Sequence, residues 1–132
     1  MEFPKDLRYT KDHEWMRSEG EEVVFGITDY AQDQLGDIVY VELPEVGAAL
    51  TQGEAFGSVE AVKAVADLLS PVSGEVVASN EAVNDDPSVV NRSPYGDGWM
   101  VRVKGVNASE MDDLMDAAAY GTFIEESGGE AE

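Results

Sequence analysis

The chain has 132 residues, 43% hydrophobic and 27% charged, which is enough for one buried core and ordinary for a soluble globular protein. It carries 28 Asp and Glu against 8 Lys and Arg, a formal net charge of −20, and no cysteine. Disulfide frameworks, cysteine nucleophiles and thiolate metal sites are excluded, and the negative field disfavours nucleic acid and anionic membrane surfaces as partners.

Residues 1–15 show neither the apolar core of a signal peptide nor an Arg- and Ser-rich transit pattern. The expected location is the cytoplasm of a prokaryote, or the mitochondrial matrix for a processed eukaryotic form. No apolar run approaches the roughly 18 residues of a membrane span. Val23 to Thr28 is rich in β-branched and aromatic residues and predicts a strand. Thr28 then caps a short helix through Asp29, Ala31 and Leu35, with Gly36 as its stop. Asp37 to Leu43 predicts a strand ended by Pro44 and Gly47, and Thr51 to Glu54 a turn. Two further strands, Ala55 to Glu60 and Ala66 to Ser70, flank Lys63; Pro71 to Gly74 turns the chain into a strand over Glu75 to Ala78. Asn84 to Tyr95 is turn-rich, with one helical turn at Pro87 to Val90, and Trp99 to Val103 predicts a strand. Ser109 with Asp112 resembles an N-terminal cap, and Met111, Leu114, Met115 and Ala118 at helical spacing predict the start of a C-terminal helix. One domain is expected over residues 1–124, followed by an acidic, flexible tail at 125–132.

Catalytic machinery is scarce. His13 is the sole histidine, so no multi-histidine metal site and no paired-histidine acid–base site can form. No phosphate-binding glycine loop and no G-x-S-x-G elbow occurs. The pairs Asp85-Asp86 and Asp112-Asp113 carry little information in so acidic a chain. Scattered acids also fit adaptation of the whole surface to high salt, in which case molar salt should raise the melting temperature. The alternative use of the charge is docking to basic partners.

Lys63 stands out. It is the sole lysine between Lys11 and Lys104, in a stretch without arginine from Tyr30 to Pro87, and it lies between two predicted strands. An ordinary solvated lysine is the bland reading. The surrounding sequence F-G-S-V-E-A-V-K-A, then S-P-V-S-G-E-V-V, resembles the hairpin of the biotinyl and lipoyl carrier domains. In that superfamily the modified lysine projects from a tight hairpin turn. Biotin acceptors place methionine on both sides of it, whereas here the neighbours are Val62 and Ala64.

Further motifs narrow the resemblance to the glycine cleavage H-protein family over roughly residues 7–124: H-E-W at His13 to Trp15, G-I-T-D-Y-A-Q at Gly26 to Gln32, L-G-D-I-V-Y-V-E-L-P at Leu35 to Pro44, and N-R-S-P-Y-G-D-G-W at Asn91 to Trp99. Many members have serine where this chain has Ala61. The resemblance implies a mainly β fold, a flattened β-barrel or sandwich of the barrel-sandwich type with short helices and a C-terminal helix. It implies lipoic acid bound covalently to Lys63 as N6-lipoyllysine, and a carrier that is not itself an enzyme. The implied partners are glycine decarboxylase (P protein), aminomethyltransferase (T protein), dihydrolipoyl dehydrogenase (L protein), and a lipoate ligase or lipoyl/octanoyl transferase. A monomer is expected. It also implies that Glu14 and Asp67 lie near the loaded arm, with Asp12 as an addition to that site. An H-like carrier serving lipoate relay or another pathway is the alternative, and an unmodified acidic interaction protein a more distant one. His13, Trp15, Tyr95 and Trp99 are expected to pack, and Gly57, Gly74 and Gly98 to serve the backbone.

Overall fold

The computed structural model describes residues 3–126. In chain order it contains β1 (Arg8–Tyr9), β2 (Glu14–Glu19), β3 (Glu22–Ile27), α1 (Asp29–Leu35), β4 (Ile38–Glu42), β5 (Ala49–Leu50), β6 (Ala55–Ala61) and β7 (Val65–Leu69). There follow β8 (Gly74–Ser79), α2 (Glu81–Asp85), α3 (Val89–Arg92), β9 (Val101–Lys104), α4 (Ala108–Asp112) and α5 (Ala117–Glu126). The strands form two antiparallel sheets, one in the order β1-β2-β3-β9-β8-β5 and one in the order β4-β6-β7. The expected mainly β sandwich with short helices and a C-terminal helix is present, and the two sheets remain open rather than closing into a barrel.

The alternation of β3 shows why the sheets stack. Val23, Phe25 and Ile27 point into the main core with Val41, Val59 and Leu68 from the smaller sheet. Val24 points to the opposite face, where Tyr9, Trp15, Tyr120 and Ile124 form a second cluster beneath α5. A strand buried on both faces reads as a continuous apolar run, as V-V-F-G-I does here. Phe25 meets Phe56 edge to face across the sandwich at 5.2 Å; truncating either ring to alanine should destabilise by about 3–5 kcal/mol. On the other face, Tyr9 and Tyr120 stack at 4.7 Å.

Several boundaries differ from the sequence expectation. The last strand begins at Val101 rather than Trp99, and the helical turn falls at Val89–Arg92 rather than over Pro87 to Val90. Helix α2 is an addition: Asn80 caps it by accepting from the Ala82 amide at 3.1 Å, while donating to the carbonyls of Asp97 and Trp99. The C-terminal helix is two helices. Asn107, not Ser109, caps the first, its side chain accepting from the Ser109 amide at 3.0 Å. The expected run through Met115 breaks because Met115 pairs with Tyr9 in a two-way backbone bridge, both bonds 2.8 Å. Helix α5 then runs to Glu126, past the start of the expected tail; positions 127–132 lie outside the described residues.

Candidate functional site

Lys63 stands on the turn between β6 and β7. The hairpin register pairs Val59 with Ala66 and Glu60 with Val65. The Ala61 amide donates to the Ala64 carbonyl at 2.7 Å, which leaves Val62 and Lys63 as a two-residue loop. Such loops favour left-handed residues, yet among the described residues His13 is the sole non-glycine with positive φ. The tip therefore relies on an outside tie. The Val62 amide donates at 3.0 Å to the carbonyl of Asp37, in the link between α1 and β4. Val62, Lys63, Ala64 and Val65 are all exposed, so the lysine amine projects from a fixed backbone into solvent.

The link also touches the lysine stem. Gly36 adopts φ +80°, and a β-carbon there would stand 3.1 Å from Lys63 Cε. Glycine meets both the left-handed backbone and the close approach. Elsewhere Gly57, Gly74 and Gly98 serve the backbone as expected, since a β-carbon at each would collide with a carbonyl oxygen, of Glu42, Lys104 and Ser93 respectively.

Beside this tip, α1 leaves a cleft of about 180 Å³ against β6 and β7. Ile27, Leu35, Val59, Ala66 and Leu68 give it apolar walls, and Asp12, His13, Glu14 and Asp67 all line it. The three expected acids are thus brought together, but they are not alike. Asp12 and Asp67 are exposed, whereas Glu14 is 3% exposed.

Glu14 owes its burial to the loop before β2. Thr10 Oγ1 accepts from the amides of Asp12 and Glu14, at 3.1 and 3.2 Å, and donates to Glu14 Oε1 at 2.8 Å. The Leu69 amide donates to the other carboxyl oxygen at 3.3 Å. Burial pushes the Glu14 carboxyl up to about 8; the Thr10 hydrogen bond opposes the rise, the neighbouring Asp12 charge adds to it, and the Leu69 amide opposes it.

His13, next in the same loop, has φ 68°. Its Nδ1 lies 2.8 Å from the Tyr120 hydroxyl, which is also 2.8 Å from Thr28 Oγ1. Thr28 caps α1 by accepting from the Ala31 amide at 3.1 Å, so one tyrosine of α5 ties together two walls of the cleft. Burial holds the His13 imidazole below its ordinary value, against the opposing Asp12 charge. The aromatic residues expected to pack do so. Trp15 is fully buried and donates Nε1–H to the Pro94 carbonyl at 2.9 Å, while Tyr95 Oη accepts from the Asp29 amide at 2.9 Å. Neither the depth of Glu14 nor the Tyr120 network was legible in the sequence. The partners of Glu14 are Thr10 and Leu69, one local and one 55 residues away, and no spacing rule connects them.

An open β-sandwich with a lysine on a rigid hairpin tip, beside an apolar cleft, defines a carrier domain of the biotinyl/lipoyl type. Comparison with known proteins narrows the class. The glycine cleavage H-protein family model matches residues 7–127. The chain is 60% identical over 126 residues to the glycine cleavage system H protein of Geobacillus kaustophilus, covering 96% of this chain and 99% of that one. It is 52% identical over 126 residues to the H protein of an Anaeromyxobacter species, covering 96% and 98%. The crystal structure of a glycine cleavage system H protein from Mycobacterium marinum matches with a TM-score of 0.82 at 39% identity, over 96% of this chain and 99% of that one. The chain belongs to the glycine cleavage H-protein family, whose members are carriers in glycine cleavage.

Proposed function

We propose that this carrier bears its lipoyl group on Lys63 and rests the loaded arm in the cleft floored by Glu14. One observation carries the reading: an exposed lysine on a braced two-residue tip lies against Gly36, next to Leu35 of an apolar-walled cleft. The residues fit the group. The Lys63 amine is free to form an amide, which removes its charge, and the cleft walls are apolar where a hydrocarbon arm would lie. When attached to Lys63, the lipoyl group would supply sulfur chemistry, as a carrier for the aminomethyl unit of glycine and for two electrons.

The chain's own part is positional and electrostatic. The rigid tip presents the arm to the decarboxylase, the aminomethyltransferase and the dihydrolipoyl dehydrogenase in turn. The aminomethyl cargo carries an amine that is cationic at neutral pH. Glu14, held by Thr10 and Leu69, offers it a carboxyl out of water, and Asp67 a second one at the rim. Asp12 adds negative charge beside them. A cation settling there drives the Glu14 proton off and leaves a charge-assisted pair.

The test is reconstitution with the three partner enzymes. Lipoylated parent should support glycine-dependent transfer of the one-carbon unit to tetrahydrofolate, and a Lys63→Arg variant put through the same lipoylation should support none, because arginine keeps the charge but offers no acylatable amine. Undiminished transfer by the variant would refute the assignment.

A further inference from the structure

Asn91, on α3 and outside the cleft, spends its side-chain amide on α1 and on the link that braces the lysine tip. Its Nδ2 donates to the Gly36 carbonyl at 2.9 Å and to Gln32 Oε1 at 2.9 Å. Its Oδ1 accepts from the Ile38 amide at 2.9 Å. These bonds fix the residues on both sides of Asp37, and Asp37 is the residue whose carbonyl accepts from the Val62 amide. Gly36, the other fixed residue, is the one against which the Lys63 stem lies. Helix α3 is itself anchored, since Val89 and Val90, just before Asn91, are buried in the main core.

A continuous chain of contacts therefore runs from the core through Asn91 to Gly36–Ile38, and from there to Val62 and the lysine stem. It answers a need the hairpin cannot meet alone. A two-residue loop without left-handed residues splays its strands, and Val62 lies beyond the last ladder pair. We propose that Asn91 is a positioning residue for lipoylation, and that it holds the 36–38 link so that the Lys63 tip presents one backbone geometry to the modifying enzyme. The inference rests on the reading that Lys63 is the modified residue. It adds a requirement remote in sequence, 28 positions from the lysine. A modifying enzyme that approaches the tip meets Val62 and Lys63 already in place, so little ordering is left for the encounter.

Two measurements on the intact chain separate this role from general stability. In Asn91→Ala, hydrogen exchange of the Val62 and Ile38 amides should accelerate about tenfold in the unmodified protein, the equivalent of one lost hydrogen bond. The Val24 and Val103 amides, in the central strands, should exchange as in the parent. With lipoate ligase, kcat/KM for Lys63 should fall about tenfold, well below the melting temperature. Gly36→Ala gives a second approach without touching the Asn91 amide: it strains the +80° backbone and crowds the lysine stem, and it should also lower kcat/KM. Gly47→Ala is its control, because Gly47 has φ +93° and open space, with nothing within 4 Å of where the added methyl would sit. That variant carries a similar backbone strain, and its lipoylation should be unchanged.

Unchanged lipoylation in both Asn91→Ala and Gly36→Ala overturns the proposal, as does exchange that rises uniformly across all strands. If Val62 and Ile38 exchange faster while lipoylation holds, the latch exists but the enzyme does not need it, and the positioning role is refuted. A parent chain that takes no lipoyl group at Lys63 refutes the underlying site reading instead, and the exchange data still judge the latch.

Discussion

The hairpin tip and the floor of the cleft treat their charged residues in opposite ways. At the tip, Lys63 is exposed, Val62 is 75% exposed, and the backbone is held by the hydrogen bond that the Val62 amide donates to the Asp37 carbonyl. On the floor, Glu14 is buried with two hydrogen-bond donors and its carboxyl is displaced to about 8. On the proposed reading, a tip that meets several enzymes gains from solvent exposure, whereas cargo kept from water needs a dry receptor. The two needs conflict at any single residue. The fold separates them, with α1 forming the wall of the cleft and its Gly36 end touching the lysine.

The largest effect that would sharpen this contrast is on stability against pH. Folded Glu14 binds its proton more tightly than unfolded Glu14, whose ordinary value is 4.5. Its stabilising contribution is therefore full below that value and is lost as pH rises toward about 8, where the folded carboxyl ionises. Glu14→Gln removes this linkage. Denaturant melts at about pH 5 and about pH 9 should show a smaller loss of stability in the variant than in the parent, by several kcal/mol at most. An equal loss in both would mean that the floor is wet and the contrast with the tip is false.

Cargo protection should give a smaller effect. Glu14→Gln with Asp67→Asn should release ammonia and formaldehyde from the purified, loaded carrier about tenfold faster, roughly the loss of one hydrogen bond to a charged group. Most of that change should follow Glu14, because a pair made by the exposed Asp67 is worth at most about 1 kcal/mol. Lipoylation of the double variant should proceed at the parent rate, since neither acid is at the tip. If loss is no faster, neither residue protects the loaded arm.

The tip was more legible in the sequence than the floor, for physical reasons. V-V-F-G-I, D-I-V-Y-V-E-L and the Thr28 cap lie in short segments whose periodicity and capping act locally, and β3, β4 and α1 appear where those segments predict them. The Lys63 turn itself has no glycine or asparagine to mark it; the family resemblance supplied it, and the structure explains the omission by the external bond from Val62 to Asp37. Glu14 was visible as a motif residue but not as a buried one, because burial depends on Leu69 and on a loop that folds back through Thr10. The C-terminal region misled most. Met111, Leu114 and Met115 have helical spacing, yet pairing with Tyr9 takes the Met115 backbone out of the helix. Tertiary pairing outweighed local periodicity there.

The most direct test of the central claim is peptide mass mapping after lipoylation, joined to a melt of the Lys63→Arg variant. The account predicts one lipoyl group, on the peptide containing Val62-Lys63-Ala64, none on the variant, and a variant stability within about 0.5 kcal/mol of the parent, as befits an exposed tip. A lipoyl group on Lys11 or Lys104, or a Lys63→Arg chain that still gains the mass, would contradict it.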